Sequence, residues 1–129
     1  MVYSPLVFLE KTIEEILNMI LIISKKADAE TLKRVAEDLK GYVKLVVDVK
    51  RRILAAGGMK HSDAEQLLLD DGSKQQDLWG GGIDLETGLV DFDSMINLRP
   101  GQGNPSREVL LMPIRETMQK IIHELLISK

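Results

Sequence analysis

The chain contains no cysteine. That excludes a disulfide framework, a thiolate nucleophile and a cysteine-ligated zinc site, and it makes a reducing, cytoplasmic setting the expectation. Aromatic residues are scarce at 4%, so aliphatic side chains have to build the core. No apolar run approaches the ~18 residues of a membrane span. The start, Met1-Val2-Tyr3-Ser4-Pro5, lacks the basic stretch that precedes the apolar part of a secretory leader. No membrane partner is expected. Cationic excess is missing too: a net charge of −3 and a pI near 5.4 argue against broad nucleic-acid binding, which depends on releasing counterions from phosphates.

What remains fits one ordinary domain, since 129 residues with 44% hydrophobic and 29% charged content can bury a core without staples. The charge is blocked. Residues 25–60 carry ten Lys and Arg against five Asp and Glu, whereas residues 61–93 carry one Lys against nine acids. Such blocks mark a cation site, or two surfaces that attract one another in a homo-oligomer, or simply solvated faces of opposite sign.

Ser4-Pro5 followed by Leu6, Leu9, Ile13, Ile16 and Ile20 predicts a helix over 6–17 with a narrow apolar seam, suited to packing on the domain or on another chain. The β-branched run at 19–24 predicts a buried strand. Asp28 caps a helix over 28–40, with Leu32, Val35, Ala36 and Leu39 on one face and Gly41 as its stop. Alternation at 43–49 and the run at 53–56 predict a hairpin, although its turn, Lys50-Arg51-Arg52, offers no Gly or Asn for a positive φ. Ser62 and Glu65 match a capping box for a short helix. Strands at 77–85 and 89–98 around Glu86-Thr87-Gly88 make a second hairpin, and Pro113 opens a final helix to 127. The expected class is α+β: a mainly antiparallel sheet of about five strands. Helices at 28–40 and 113–127, plus an N-terminal helix, would cover one face. Residues 1–18 read as a helical extension and 19–129 as a single α+β domain.

Four blocks carry a family resemblance: Val46-Val47-Asp48-Val49; Gly57-Gly58-x-x-His61-x-Asp63-x-Glu65; Gly72-Ser73-Lys74-Gln75-x-Asp77-x-Trp79-Gly80; and Phe92-Asp93-Ser94-x-Ile96-Asn97-x-Arg99-Pro100-x-Gln102-Gly103-Asn104-x-Ser106-Arg107. With these, residues 19–129 resemble a prokaryotic family of small domains known only as a domain of unknown function. The resemblance implies a fold and no activity. The chain departs from that pattern at Gly81-Gly82, which is shortened, and residues 1–18 lie outside it, which makes Met19 a candidate original start.

Three constellations carry chemistry. His61 lies among Asp63, Glu65, Asp77 and Asp93; His61 with Asp63 or Asp77 suits acid–base catalysis, or else Ser62, Asp63 and Glu65 merely cap a helix. With no H-E-x-x-H or EF-hand spacing, no metal site is assigned, and no cofactor is named. Second, Arg99 and Arg107 bracket the Gly-rich loop holding Gln102 and Asn104, a setting for a small anionic ligand or for a loop bonded to itself. Third, Lys74 and Asp77 approach Trp79, which either lines a pocket or anchors the core. The expected ligand-binding set is Lys74, Asp93, Asn97, Arg99, Gln102, Asn104 and Arg107. Three descriptions follow: a binding or structural domain whose polar loops converge at one sheet edge; an enzyme acting on a small phosphorylated or carboxylated substrate, with His61 as acid/base; or a self-assembling interaction protein that uses the 6–17 seam and the opposed charge blocks.

Overall fold

Two hairpins organise the protein, and an aspartate turns each of them. The computed structural model describes residues 20–127. Strand β1 (Ile20–Ile23) leads to helix α1 (Ala29–Val35), then to β2 (Tyr42–Asp48) and β3 (Ile53–Gly57). Helix α2 (His61–Asp70) follows, then β4 (Leu78–Asp84), the two-residue β5 (Val90–Asp91) and helix α3 (Met112–Leu126). The five strands pair in the order β1-β3-β2-β4-β5, antiparallel throughout, so the fold is α+β as expected. Among the described residues no helix is long and apolar enough to cross a membrane. The helix expected over 6–17, and with it the N-terminal extension, lies outside the described residues.

The β2–β3 turn needs no Gly because Asp48, one position before it, does the local bonding. Its Oδ1 accepts from the amides of Lys50 (3.0 Å) and Arg51 (2.9 Å), and its carbonyl accepts from Arg52 N (2.9 Å). Arg52 takes the left-handed position at φ 58°, at a cost of about 1 kcal/mol that these bonds offset. Asp84 repeats the device in the second hairpin: Oδ1 accepts from Glu86 and Thr87, the carbonyl accepts from Gly88 N, and Gly88 sits at φ 78°.

Alternation along β2 sends Val43, Leu45 and Val47 to a core shared with Val35 of α1 and with Met118, Ile121, Ile122 and Leu125 of α3. The helices expected at 28–40 and 113–127 therefore do share one face. Trp79 is buried in this core, an anchor rather than a pocket wall. The opposite face is not bare, however. Val46, Ala55 and Leu78 pack beneath Ala64 and Leu68 of α2.

Three expectations need correction. Asp28 caps α1, its Oδ1 accepting from Thr31 N at 2.8 Å, but the helix ends at Val35 rather than 40. Lys40 and Gly41 both take positive φ to aim the chain into β2. Helix α2 begins at His61, with Lys60 at the cap position and no side chain capping it. Ser62 is thus inside the helix and the capping box does not form, because the turn through Gly57 and Gly58 (φ 108° and 75°) delivers the chain one residue early. The strand expected over 89–98 stops at Asp91. Beyond it the carbonyl of Phe92 accepts from the side chain of Asn97 (3.1 Å) as well as from Val109 N (3.0 Å), so the chain leaves the β4 ladder.

Candidate functional site

Three consecutive glycines, Gly80, Gly81 and Gly82, stand in β4. Each weakens a strand by roughly 0.5–1 kcal/mol relative to Ala, so a run of three in a central strand calls for a reason. The reason is close approach. A Cβ on Gly82 would lie 1.9 Å from the Tyr42 hydroxyl. One on Gly80 would lie 2.6 Å from Ser94 Cβ and 3.2 Å from His61 Cδ2. Bare backbone lets these side chains lie directly on the sheet.

Helix α2 covers only part of this face. Next to its first turn opens a cleft of about 470 Å³, lined by Tyr42, Lys44, Asp91 and Asp93 on the sheet side, by Met59, Lys60, His61 and Ser62, and by Ser94, Met95, Ile96 and Arg107. Tyr42 and Lys44 share a strand face because they are two residues apart on β2. The Tyr42 hydroxyl donates to Asp91 Oδ2 at 2.5 Å. Burial, then the bond to Asp91 and the charges of Asp91 and Asp93, push the phenol far above its ordinary range, so it remains a proton-bearing donor at all physiological pH. Among the described residues Lys44 makes no ion pair or hydrogen bond, although it is half-buried. The amides of His61 and Ser62 open the helix and have no acceptor within it. Asp93 and Arg107 pair at the exposed rim, 3.4 Å apart.

Of the residues expected in the site, the cleft brings together His61, Asp93 and Arg107. Arg99 and Gln102 line an adjoining depression of about 450 Å³ with Glu65, Gln75, Leu98 and Gly101, sharing Met95 and Ile96 as a common ridge. The Arg99 guanidinium is already engaged. It donates to the carbonyls of Ile96 (2.8 Å), Gln75 (2.9 Å) and Leu78, and its Cζ lies 4.2 Å from the Trp79 ring centre. Asn97 and Asn104 are fully buried, and their carboxamides bond to backbone on several sides. Lys74 and Asp77 line neither cavity. Neither Asp63 nor Asp77 bonds to the imidazole; His61 Nε2–H donates instead to the Gly81 carbonyl at 2.7 Å. Among the described residues no three His, Asp or Glu side chains gather closely enough to hold a metal ion. Sequence reasoning missed Tyr42, Lys44, Asp91, Met59 and Met95. The available signal was the glycine run, which marks a strand approached by something other than its own side chains.

A family model described as "Protein of unknown function (DUF5674)" matches residues 21–125. The chain belongs to this family. The resemblance to a family of unknown function is thereby borne out, and the matched span includes every residue of the cleft. No curated protein and no solved structure matches the chain.

In this DUF5674 domain the Gly81 carbonyl fixes the neutral His61 tautomer with the proton on Nε2, leaving the lone pair on Nδ1. Burial lowers the imidazole pKa below its ordinary 6.5, helped by Lys44 and opposed by the Gly81 bond, Asp91 and Asp93. A folded value below the unfolded one means that His61 contributes stability above pH 6.5, which is lost as pH falls through the folded value. We expect His61→Gln to flatten the fall in urea midpoint between about pH 7 and pH 5. Parallel pH profiles for the two proteins would refute this assignment.

Proposed function

We propose that the domain binds a small anionic ligand in the cleft between the first turn of α2 and β5. The observation that carries this is Lys44: a half-buried lysine without a partner among the described residues, set in a 470 Å³ cleft beside the open amides of His61 and Ser62. Its stem lies along the sheet, and its unpaired charge attracts an anion into the cleft. Charge-assisted bonds to Lys44 and to a helix start contribute about 1.5–3 and 0.3–1 kcal/mol respectively. Together they correspond to a dissociation constant between roughly 1 and 50 mM for a bare anion such as inorganic phosphate. The Tyr42 phenol has given its one proton to Asp91, so it shapes the cleft wall and does not donate to the anion.

A second description, acid–base catalysis on the bound anion, is favoured by one feature. The neutral His61 carries its lone pair on Nδ1 and lines the same cleft, so a proton on the ligand has an acceptor.

The binding proposal is tested by titrating inorganic phosphate into the full chain and following amide resonances. The shifts should concentrate at Lys44, His61 and Ser62, and Lys44→Ala should weaken binding by about tenfold. If those amides stay still as phosphate passes roughly 200 mM, well above the expected dissociation constant, or if the response is unchanged in Lys44→Ala, the proposal fails.

A further inference from the structure

The cleft has a polar floor on the sheet and a mouth of mixed character, where the exposed Lys60, Asp93 and Arg107 stand with apolar groups. Its polar groups on the sheet side, Tyr42, Lys44 and Asp91, are half-buried. Its apolar groups stand at the mouth: Met59 and Met95 are each 61% exposed, with the half-buried Ile96 beside Met95. The two methionines come from unrelated segments. Met59 belongs to the glycine turn that leads into α2, and Met95 opens the short helical turn Met95–Asn97 after β5. Scattered single apolar residues on a surface need no explanation. Two exposed methionines from separate segments lining one polar-floored cleft form a different pattern, because they add adaptable apolar surface above a charged floor.

Methionine also narrows the ligand's chemistry. Its side chain is unbranched and its thioether polarisable, so it adapts to irregular partners and makes favourable contacts with aromatic rings. The neighbouring depression is the weaker place for an anion, since four of the five Arg99 N–H donors are engaged, three by backbone carbonyls and one by Gln102. Building on the anion-binding proposal, we infer that the ligand is amphipathic, with an anionic group seated at Lys44 and a planar aromatic body held between Met59 and Met95. Phenyl phosphate is the minimal probe of this class. Enclosing about 60 Å² of its ring is enough for a tenfold gain over inorganic phosphate.

The test uses the full chain with its methionine methyls followed by NMR, titrated with inorganic phosphate and, separately, with phenyl phosphate. Phenyl phosphate should bind about tenfold more tightly and shift the Met59 and Met95 methyls through the ring current, whereas inorganic phosphate should leave those methyls in place. In the Met59→Ala, Met95→Ala double variant the advantage of the ring should vanish while the affinity for inorganic phosphate stays unchanged. Equal affinity for the two probes in the unmodified chain overturns the inference and leaves the anion site standing. So does a ring advantage that survives the double variant. Failure of inorganic phosphate to move the Lys44, His61 and Ser62 amides overturns the anion site and this inference together.

Discussion

Asn97→Ala is expected to lower the unfolding free energy by about 4 kcal/mol, a large loss for a single side chain on a domain of this size. Asn97 is fully buried and its carboxamide replaces a stretch of sheet. Its Nδ2 donates to the carbonyls of Gly80 (2.9 Å), Phe92 (3.1 Å) and Arg107 (3.0 Å), and its Oδ1 accepts from Gly80 N (2.8 Å). Removing it leaves the Gly80 N–H and carbonyl short of partners in a buried setting, while the Phe92 and Arg107 carbonyls keep Val109 N and Ser94 N; each group left unsatisfied costs about 1–3 kcal/mol. Water entering the space recovers part of the loss. Asn97→Asp keeps the shape but aims a second acceptor at three carbonyls, so it should be no better tolerated than Ala. Urea unfolding followed by the fluorescence of Trp79, the sole tryptophan, measures both. A loss under about 1 kcal/mol in Asn97→Ala, within the range of ordinary surface changes, would show that the network is not what holds residues 92–107 to β4.

The second large effect is a contrast between neighbours. A Cβ on Gly81 would fall 2.4 Å from the backbone oxygen of Asp91, and relieving that clash means pulling apart the β4–β5 pairing. Gly81→Ala should therefore cost about 3 kcal/mol, even after the roughly 0.5–1 kcal/mol that Ala regains in backbone entropy. A Cβ on Gly82 meets the Tyr42 hydroxyl and Cζ at 1.9 and 2.4 Å and Asp91 Oδ2 at 2.9 Å. These atoms are the ends of side chains that can swing aside. Gly82→Ala should leave stability within about 1 kcal/mol of the parent, yet it breaks the Tyr42–Asp91 bond and displaces the phenol from the cleft. Calorimetric melting of both variants, with phosphate titration of Gly82→Ala, separates the effects. If Gly82→Ala is the less stable of the two, or binds phosphate as the parent does, the glycine strand does not serve the cleft in the way argued above.

Much of the fold was legible because its signals are local. Alternation marked β2, the apolar run marked β1, Asp28 marked the start of α1 and Pro113 the first turn of α3. These elements came out within a residue or two, apart from the early end of α1. The aspartate turns were half legible. Gly88 announced one, but Arg52 concealed the other, because the residue responsible, Asp48, lies inside what reads as strand. The strand expected to run to 98 failed for a similar reason. Phe92, Ile96 and Leu98 have the right spacing, and only the partners of the Phe92 carbonyl reveal that the chain has left the ladder.

The candidate site was least legible in the loop after β5. In a strand or helix, periodicity separates inward from outward positions. An irregular loop has no period, so Asn97, Arg99 and Asn104 could be recognised as polar but not as turned inward to bond backbone. Only His61, Asp93 and Arg107 of the expected set line the cleft, and their partners there come from elsewhere in the chain.

The sequence by itself determined the α+β class, the positions of most elements, the absence of thiol chemistry and the membership in a family of small domains. It could do so because propensity, capping and hydrophobic period act over a few residues. The tertiary structure alone decided that α2 lies on the face opposite α1 and α3, that Arg99 is spent on carbonyls, and that Tyr42 meets Asp91 across 49 positions while His61 meets Gly81 across 20. Those meetings depend on strand register. Register belongs to the paired chain as a whole, because sliding one strand by a single residue would turn every side chain on it to the other face.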